Sequence, residues 1–209
     1  MADFQRLHDA VLKGDNKGAV AVTMEAIAEG VDPAELVSKY MIPAMDEIGA
    51  QFASGECFVP EILLSARAMK AAMELIRPLL AARGAQPVGR VIIGTVRGDL
   101  HDIGKNLVAS MLEGGGFEVI DLGADVAPDK FVAAAEKHKV SIVCLSALLT
   151  VTMPAMKAVI EAFEKAGLRD RVKILIGGAP VTQQYADQIG ADAYGRDASV
   201  AVTLVRQFA

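Results

Sequence analysis

The spacing of apolar residues divides the chain into two parts with different periods. In the first 83 residues, apolar positions recur at intervals of three or four, as at Phe4, Leu7 and Val11. This is the period of a helix with one buried face. Polar or glycine-containing breaks separate about four helices, at 14–15, 30–33 and 54–56. The pattern predicts a helical bundle over residues 1–83, whose last helix covers about 60–82.

The period changes after residues 84–89, a predicted linker rich in glycine and proline. Short, uniformly apolar runs now alternate with helical segments and predict strands near 91–95, 118–122, 142–145, 174–176 and 191–193. Strands that are apolar on both faces are typical of a parallel sheet covered by helices on both sides. Residues 90–209 are therefore predicted to form a flavodoxin-like, Rossmann-type α/β domain, with a doubly wound parallel sheet of five strands.

Composition narrows the possible partners and the location. The net charge is −5 over 209 residues, which argues against binding to nucleic acid or to an anionic membrane surface. The longest apolar run, 140–151, is too short to span a bilayer. Cys57 and Cys144 lie far apart and form no paired motif, so neither a disulfide framework nor a cysteine zinc site is expected. These features predict a cytoplasmic protein.

The first candidate functional residues lie directly after the first predicted strand, in the segment Gly98-Asp99-Leu100-His101-Asp102-Ile103-Gly104-Lys105. In the flavodoxin-like strand order 2-1-3-4-5, the ligand crevice opens between strands one and three, at their carboxyl ends. A histidine at that edge can donate one ring nitrogen to a metal, and Asp99 can hold the other ring nitrogen. We expect Lys105 and Arg97 to face solvent or a phosphate group.

Two further segments converge on the same edge of the predicted sheet. Ser146, Leu148, Thr150 and Thr152 follow the third strand, and the pair at 177–178 follows the fourth. Each glycine of that pair, Gly177 and Gly178, lacks a side chain and so allows a bulky group to approach the backbone. A histidine beside aspartates is most often an ordinary loop residue, so the residue types alone leave a metal-binding role for His101 open.

The order and spacing of these segments resemble the cobalamin-binding signature of methionine synthase and its relatives. Asp-x-His-x-x-Gly at 99–104 is followed after 41 residues by Ser-x-Leu at 146–148, and after 28 more by Gly-Gly at 177–178. The resemblance implies a corrinoid bound base-off and His-on, with His101 as the lower axial ligand of cobalt. It implies that Asp99 and Thr152 tune this ligand, with no other catalytic residue. The remaining implied cofactor contacts are Gly98, Asp102, Ile103, Gly104, Ser146, Leu148, Thr150, Gly177, Gly178, Tyr194 and Gly195.

The helical part also resembles a known element, the cap that precedes the binding domain in methyl-transferring corrinoid proteins. The matching residues are Gly55-Glu-Cys-Phe-Val-Pro-Glu61 and Ser65-Ala-Arg-Ala-Met69. Phe58 matches the aromatic residue that shields the methyl-bearing face of cobalt, and Met69 in the cap helix is a further candidate cofactor contact. The resemblance covers essentially the whole chain.

The resemblance implies a methyl-carrier subunit of a corrinoid-dependent methyltransferase system in anaerobic one-carbon metabolism. Such a shuttle accepts a methyl group from a substrate-specific methyltransferase. A second methyltransferase then passes it to tetrahydrofolate or a thiol, and a reductive activase is the third implied partner.

Two other cobalamin-dependent classes share the same three motifs. The cobalamin-binding subunit of a radical mutase generally lacks a helical cap, so residues 55–69 argue against that class. Cobalamin-dependent sensors add a DNA-binding helix-turn-helix, for which this acidic chain has no room.

Overall fold

The computed structural model describes residues 4–83 and 87–209. Residues 84–86, half of the predicted linker, lie outside the described residues. The chain forms two compact units: the first contains the residues up to Val88 together with Ser110–Phe117, and the second contains Gly89–Ala109 together with Glu118–Ala209. No helix in the described ranges is both long and apolar enough to cross a membrane.

The first unit is helical. Its elements are α1 (Gln5–Leu12), α2 (Asn16–Ala28), α3 (Pro33–Leu36), a π-helical segment (Val37–Met41), α4 (Ile42–Ser54) and α5 (Val59–Ala82). The breaks fall where the sequence predicts them, and at the first two an aspartate caps the helix that follows. Asp15 accepts the Gly18 N–H at 3.0 Å, and Asp32 accepts the Ala34 N–H at 3.2 Å.

The interior of the helical unit is built mainly from aliphatic side chains and methionines. Leu7 of α1, Leu36 of α3 and Ile62 of α5 are completely buried. Ser65 ties α5 to the end of α1, since its hydroxyl donates to the Leu12 carbonyl at 2.8 Å. Met69 is also buried, at 1% exposure. Met69 is therefore buried in this structure, and its role as a cofactor contact stays a prediction.

The second unit alternates strands and helices. From Arg90 onward the elements are β1 (Arg90–Thr95), α6 (Ile103–Gly114), β2 (Glu118–Asp121), α7 (Pro128–His138), β3 (Ile142–Ser146), α8 (Pro154–Lys165), β4 (Lys173–Gly177), α9 (Gln183–Ile189), β5 (Ala193–Gly195) and α10 (Ala198–Phe208). The end of α6, from Ser110, belongs to the first unit. Every strand pairs in parallel, in the order β2-β1-β3-β4-β5. The predicted α/β fold with a flavodoxin-like sheet is confirmed.

The strands of this sheet are buried on both faces where they lie at its centre. Successive residues point to opposite faces, and both members of the pairs Val91–Ile92 on β1 and Ile142–Val143 on β3 are buried. β1 contains a glycine at position 94 because the ring of Phe131 packs onto it. A Cβ on Gly94 would lie 2.8 Å from the ring. The helices therefore press closely on the sheet, and this fixes the carboxyl ends of the strands as a rigid platform.

The position of the last strand differs from the sequence prediction. The structure places β5 at Ala193–Gly195 rather than at 191–193, so Tyr194 and Gly195 lie in the strand and not after it. The shift arises because Asp192 has another role. Its carboxylate accepts the Ile174 N–H at 2.8 Å and pairs with Arg169 at 2.8 Å, which joins the amino-terminal ends of β4 and β5.

Candidate functional site

His101 lies in the loop between β1 and α6, at the carboxyl edge of the sheet. Its Nδ1 atom is 2.8 Å from Asp99 Oδ1, and its backbone N–H donates to the same oxygen at 3.0 Å. Its Nε2 atom has no hydrogen-bond partner within the part of the chain that the structure describes. The side chain is 51% exposed. The free ring nitrogen is therefore accessible from outside the loop.

Asp99 joins this loop to the loop that follows β3. The carboxylate is fully buried, and its Oδ2 atom accepts the Leu148 N–H at 2.8 Å and lies 2.7 Å from the Thr152 hydroxyl. Burial alone would raise the pKa of Asp99. The hydrogen bonds from Thr152, from the backbone of His101 and Leu148, and from the His101 ring outweigh burial and hold the pKa of Asp99 well below its usual range.

The ionised carboxylate determines which ring nitrogen of His101 is available. An ionised Asp99 can only accept hydrogen bonds, so Nδ1 carries the proton that it shares with the carboxylate. In the neutral imidazole this leaves an unprotonated lone pair on Nε2, which is the form that binds metals. A carboxylate behind the ring also increases the basicity of the outer nitrogen and fixes the ring orientation. The arrangement leaves one ring nitrogen free in a fixed orientation.

Two residues outside the sequence-predicted set hold the backbone of this loop. The buried Thr95 hydroxyl donates to the His101 carbonyl at 2.9 Å. Asp125, after β2, accepts the Gly98 N–H at 2.7 Å and donates its own N–H to the Asp99 carbonyl at 3.0 Å. The strand order places the β1 and β2 loops side by side, and this was the only sequence signal available for Asp125.

Lys105 does not face solvent or a phosphate group, as the sequence suggested. Its side chain is 1% exposed and its ammonium contacts the carboxylate of Asp121 and the side-chain oxygen of Asn106. Asn106 in turn donates to the Asp102 carboxylate at 3.1 Å. Lys105 therefore anchors the first turn of α6 to the end of β2, because a buried ammonium requires a partner. Arg97 is exposed.

The loops that hold Asp99 and its partners carry large apolar side chains that are accessible to solvent. They lie in the loops after β1 and β3 and in the first turn of α6: Leu100, Ile103, Leu148, Leu149 and Val151. Sequence reasoning named only Ile103 and Leu148. Exposed apolar residues on neighbouring loops mark a ligand surface more often than a solvated one. For Leu100, the signal in the sequence was an apolar residue between the loop glycines Gly98 and Gly104.

The glycines at this edge fall into two groups. A Cβ on Gly178 would lie 1.9 Å from the Ala147 carbonyl oxygen, and one on Gly177 would lie 3.0 Å from the Gly195 carbonyl oxygen. At the Cβ positions of these two glycines, the backbone of the protein itself approaches closely. Gly104 is different, because a Cβ there would meet no protein atom within 4 Å. It leaves an open surface in the first turn of α6, three residues after His101.

The other predicted site residues are distributed as follows. Ser146 ends β3, with Thr150 exposed in the loop beyond it. Phe58 lies in the helical unit, where its N–H donates to the Glu61 carboxylate at 3.0 Å and its side chain is 68% exposed. A separate cavity of about 490 Å³, lined by residues that include Lys139 and Arg171, lies at the opposite, amino-terminal edge of the sheet and contains none of the predicted residues.

The donor set fits a metal that brings most of its own ligands. Across residues 4–83 and 87–209, no three His, Cys, Asp or Glu side chains come together as a metal-binding group. A single free imidazole nitrogen is compatible with a metal that is already enclosed in a macrocycle.

Comparison with known proteins decides the family. A family model described as B12 binding domain matches residues 89–203, and a second one with the same description matches residues 3–77. The chain belongs to the B12-binding family. Corrinoid binding is therefore a property of this family member, and the accessible apolar side chains in the loops after β1 and β3 fit it.

Several relatives of this B12-binding protein are named for methylamine metabolism. Trimethylamine corrinoid protein 2 of Methanosarcina mazei is 47% identical over 200 residues, covering 95% of this chain and 92% of the relative. Dimethylamine corrinoid protein 1 of Methanosarcina acetivorans is 42% identical over 205 residues, covering 98% and 96%. Among solved structures, the methanol:cobalamin methyltransferase complex MtaBC of Methanosarcina barkeri matches with a TM-score of 0.87 at 30% identity, covering 97% of this chain and 78% of that chain.

Proposed function

We propose that this protein is the methyl-carrying corrinoid subunit of a methylamine methyltransferase system. The observation that carries the proposal is the pair His101–Asp99, whose free Nε2 atom lies in a loop that carries accessible apolar side chains. The bound corrinoid supplies a cobalt ion that accepts a methyl group from one partner and releases it to another. The names of the most similar relatives favour trimethylamine or dimethylamine as the methyl source.

In this proposal His101 Nε2 is the lower axial ligand of a corrinoid that is bound base-off and His-on. Asp99 stays ionised, shares the Nδ1 proton and keeps Nε2 basic. Thr152 and the Leu148 N–H hold the carboxylate in place.

The remaining parts of the proposal rest on the family resemblance. Residues 1–83 act as the cap, 84–89 as the linker and 90–209 as the cofactor-binding domain, and the exposed Phe58 ring shields the methyl group. The partners are a substrate-specific methyltransferase, a second methyltransferase with a tetrahydrofolate or thiol acceptor, and a reductive activase, all in the cytoplasm. The buried, unpaired Cys57 and Cys144 suit a reducing compartment.

The decisive experiment is a single-turnover methyl transfer. The protein is loaded with cobalamin, reduced and mixed with a trimethylamine methyltransferase and isotopically labelled trimethylamine. We expect one dimethylamine to be released for each bound corrinoid and the labelled methyl group to remain with the protein. Methanol with its own methyltransferase is the control donor. A protein that binds cobalamin but accepts no methyl group from any donor would favour the mutase or sensor class, and one that binds no corrinoid would refute the proposal.

A variant at Gly104 separates cofactor binding from folding. Gly104→Ala places a methyl group on the open surface near His101, where no protein atom lies within 4 Å. Alanine is the better helix former by about 1 kcal/mol, so the apoprotein should be at least as stable in urea. The added methyl should lower cobalamin affinity roughly tenfold, because it occupies the surface that we assign to the corrin ring. Unchanged affinity, measured by titration, would place the ring elsewhere.

A further inference from the structure

We infer that Thr95 is a positioning residue for the metal-ligating histidine, which it holds through the backbone carbonyl of His101. This inference rests on the proposed role of His101 as the cobalt ligand. Thr95 does not touch the imidazole ring and is distinct from Asp99 and Thr152, which act on the ring or on its carboxylate partner.

Thr95 is itself a fixed point in the sheet. It is the last residue of β1, it pairs with Ser146 of β3, and it is completely buried. Its backbone N–H donates to the Gly123 carbonyl at 2.9 Å, and its own carbonyl accepts the Val126 N–H at 3.0 Å. Both backbone groups of Thr95 are thereby bound to the segment after β2. A hydroxyl on this residue is a rigid donor, because neither the backbone nor a β-branched side chain has freedom to move.

The hydroxyl of Thr95 completes the restraint of His101. The N–H and Nδ1 atoms of His101 both meet Asp99 Oδ1, and its carbonyl accepts the Thr95 hydroxyl at 2.9 Å. Asp99 alone fixes one side of the residue and leaves rotation of the following peptide free. With the carbonyl held as well, the position of Cα is set from both sides, and Nε2 can point in only a narrow range of directions. Metal ligation depends on such alignment to within a few tenths of an ångström.

A matched pair of variants tests this role. Thr95→Val removes the hydroxyl with almost no change in shape, and Thr95→Ser keeps the hydroxyl but loses a methyl group. We expect Thr95→Val to lower the His-on to His-off ratio of bound cobalamin by roughly threefold to tenfold, the effect of one lost hydrogen bond. Thr95→Ser should stay within about twofold of the original protein. The ratio is read from the nitrogen hyperfine pattern of the reduced, paramagnetic cobalamin, with the protein carrying heavy-nitrogen histidine so that His101 is identified as the ligand.

A second measurement needs no cofactor. In the apoprotein, the NMR signal of the His101 ring N–H shared with Asp99 should broaden or shift in Thr95→Val and remain in Thr95→Ser. Thr95→Ala, which cannot overpack, replaces the valine variant if that one fails to fold. Equal His-on ratios and equal ring signals in all variants would overturn the role of Thr95. Failure of the original protein to bind cobalamin would refute the proposed function instead, and the ring signals would still decide the inference.

Discussion

Replacing His101 with alanine is expected to remove the lower ligand and to reduce methyl transfer from trimethylamine on the order of a hundredfold or more. Loss of a residue behind a metal ligand already costs tenfold to a hundredfold in metal affinity or activity, and loss of the ligand itself should cost more. The bound cobalamin should lose the hyperfine signal of a histidine nitrogen. Single-turnover release of dimethylamine measures the rate, and the paramagnetic spectrum measures the ligand.

The fold should tolerate this substitution, so that its effect can be assigned to the ligand. His101 is half exposed, and exposed substitutions usually change stability by less than about 0.5 kcal/mol. Asp99 keeps its hydrogen bonds from the Leu148 N–H and from the backbone N–H of residue 101. His138→Ala is the matched control, because His138 ends α7 in the same unit, at the edge of the sheet opposite the His101 loop. If His101→Ala retained the transfer rate of His138→Ala, His101 would not be the ligand.

The strand pattern could be predicted because a strand that is buried on both faces appears in the sequence as a run of consecutive apolar residues. Ile92, Val143 and Ile174 lie in uniformly apolar runs, and nothing except a helix-covered parallel sheet buries such runs so completely. The sequence signal for the last strand was weaker, since Asp192 interrupts its run of apolar residues. Its carboxylate is used to join the ends of two strands, and this is a contact between residues far apart in sequence.

The contact between Asp99 and His101 could be predicted because the two residues are close in sequence. Asp99 and His101 are two residues apart, so a hydrogen bond between them needs only a turn. Lys105 could not be read correctly, because a lysine in the first turn of a helix is usually exposed. Its burial depends on Asp121 at the end of β2, which comes beside it only after β1 and β2 have paired.

Hydrogen bonds from side chains to main-chain groups were the part of the site that could not be predicted from the sequence. The Thr95 hydroxyl and the Asp125 carboxylate bind main-chain groups of the His101 loop. Any residue type can provide such a carbonyl or N–H, so the pairing leaves no characteristic spacing. Asp125 also adopts a φ of 54°, a conformation that Asn, Asp and Gly accept more readily than other residues. This conformation turns its own N–H toward the Asp99 carbonyl, and only the folded loop reveals it.

Gly178→Ala is expected to destabilise the protein by about 3 kcal/mol or more and to disturb the metal-binding pair from a distance. The φ angle of Gly178 is +132°, and an added Cβ would lie 1.9 Å from the Ala147 carbonyl oxygen. That carbonyl cannot move alone, because it shares a peptide group with the Leu148 N–H that binds Asp99 Oδ2 at 2.8 Å. A shift of this peptide large enough to relieve the overlap therefore weakens a hydrogen bond that keeps Asp99 ionised and in place.

The comparison variant is Gly190→Ala, at a glycine that also has a positive φ but lacks the close approach. Gly190 has a φ of +77° and ends α9, and a Cβ there would meet no atom within 4 Å. It should cost only the 1–2 kcal/mol of a left-handed alanine. Urea denaturation of both apoproteins measures the difference, and the NMR signal of the His101 ring N–H shows whether Asp99 has moved. Equal stability and an unchanged ring signal in the two variants would contradict the coupling, because the overlap with Ala147 would then have been relieved without moving the Leu148 peptide.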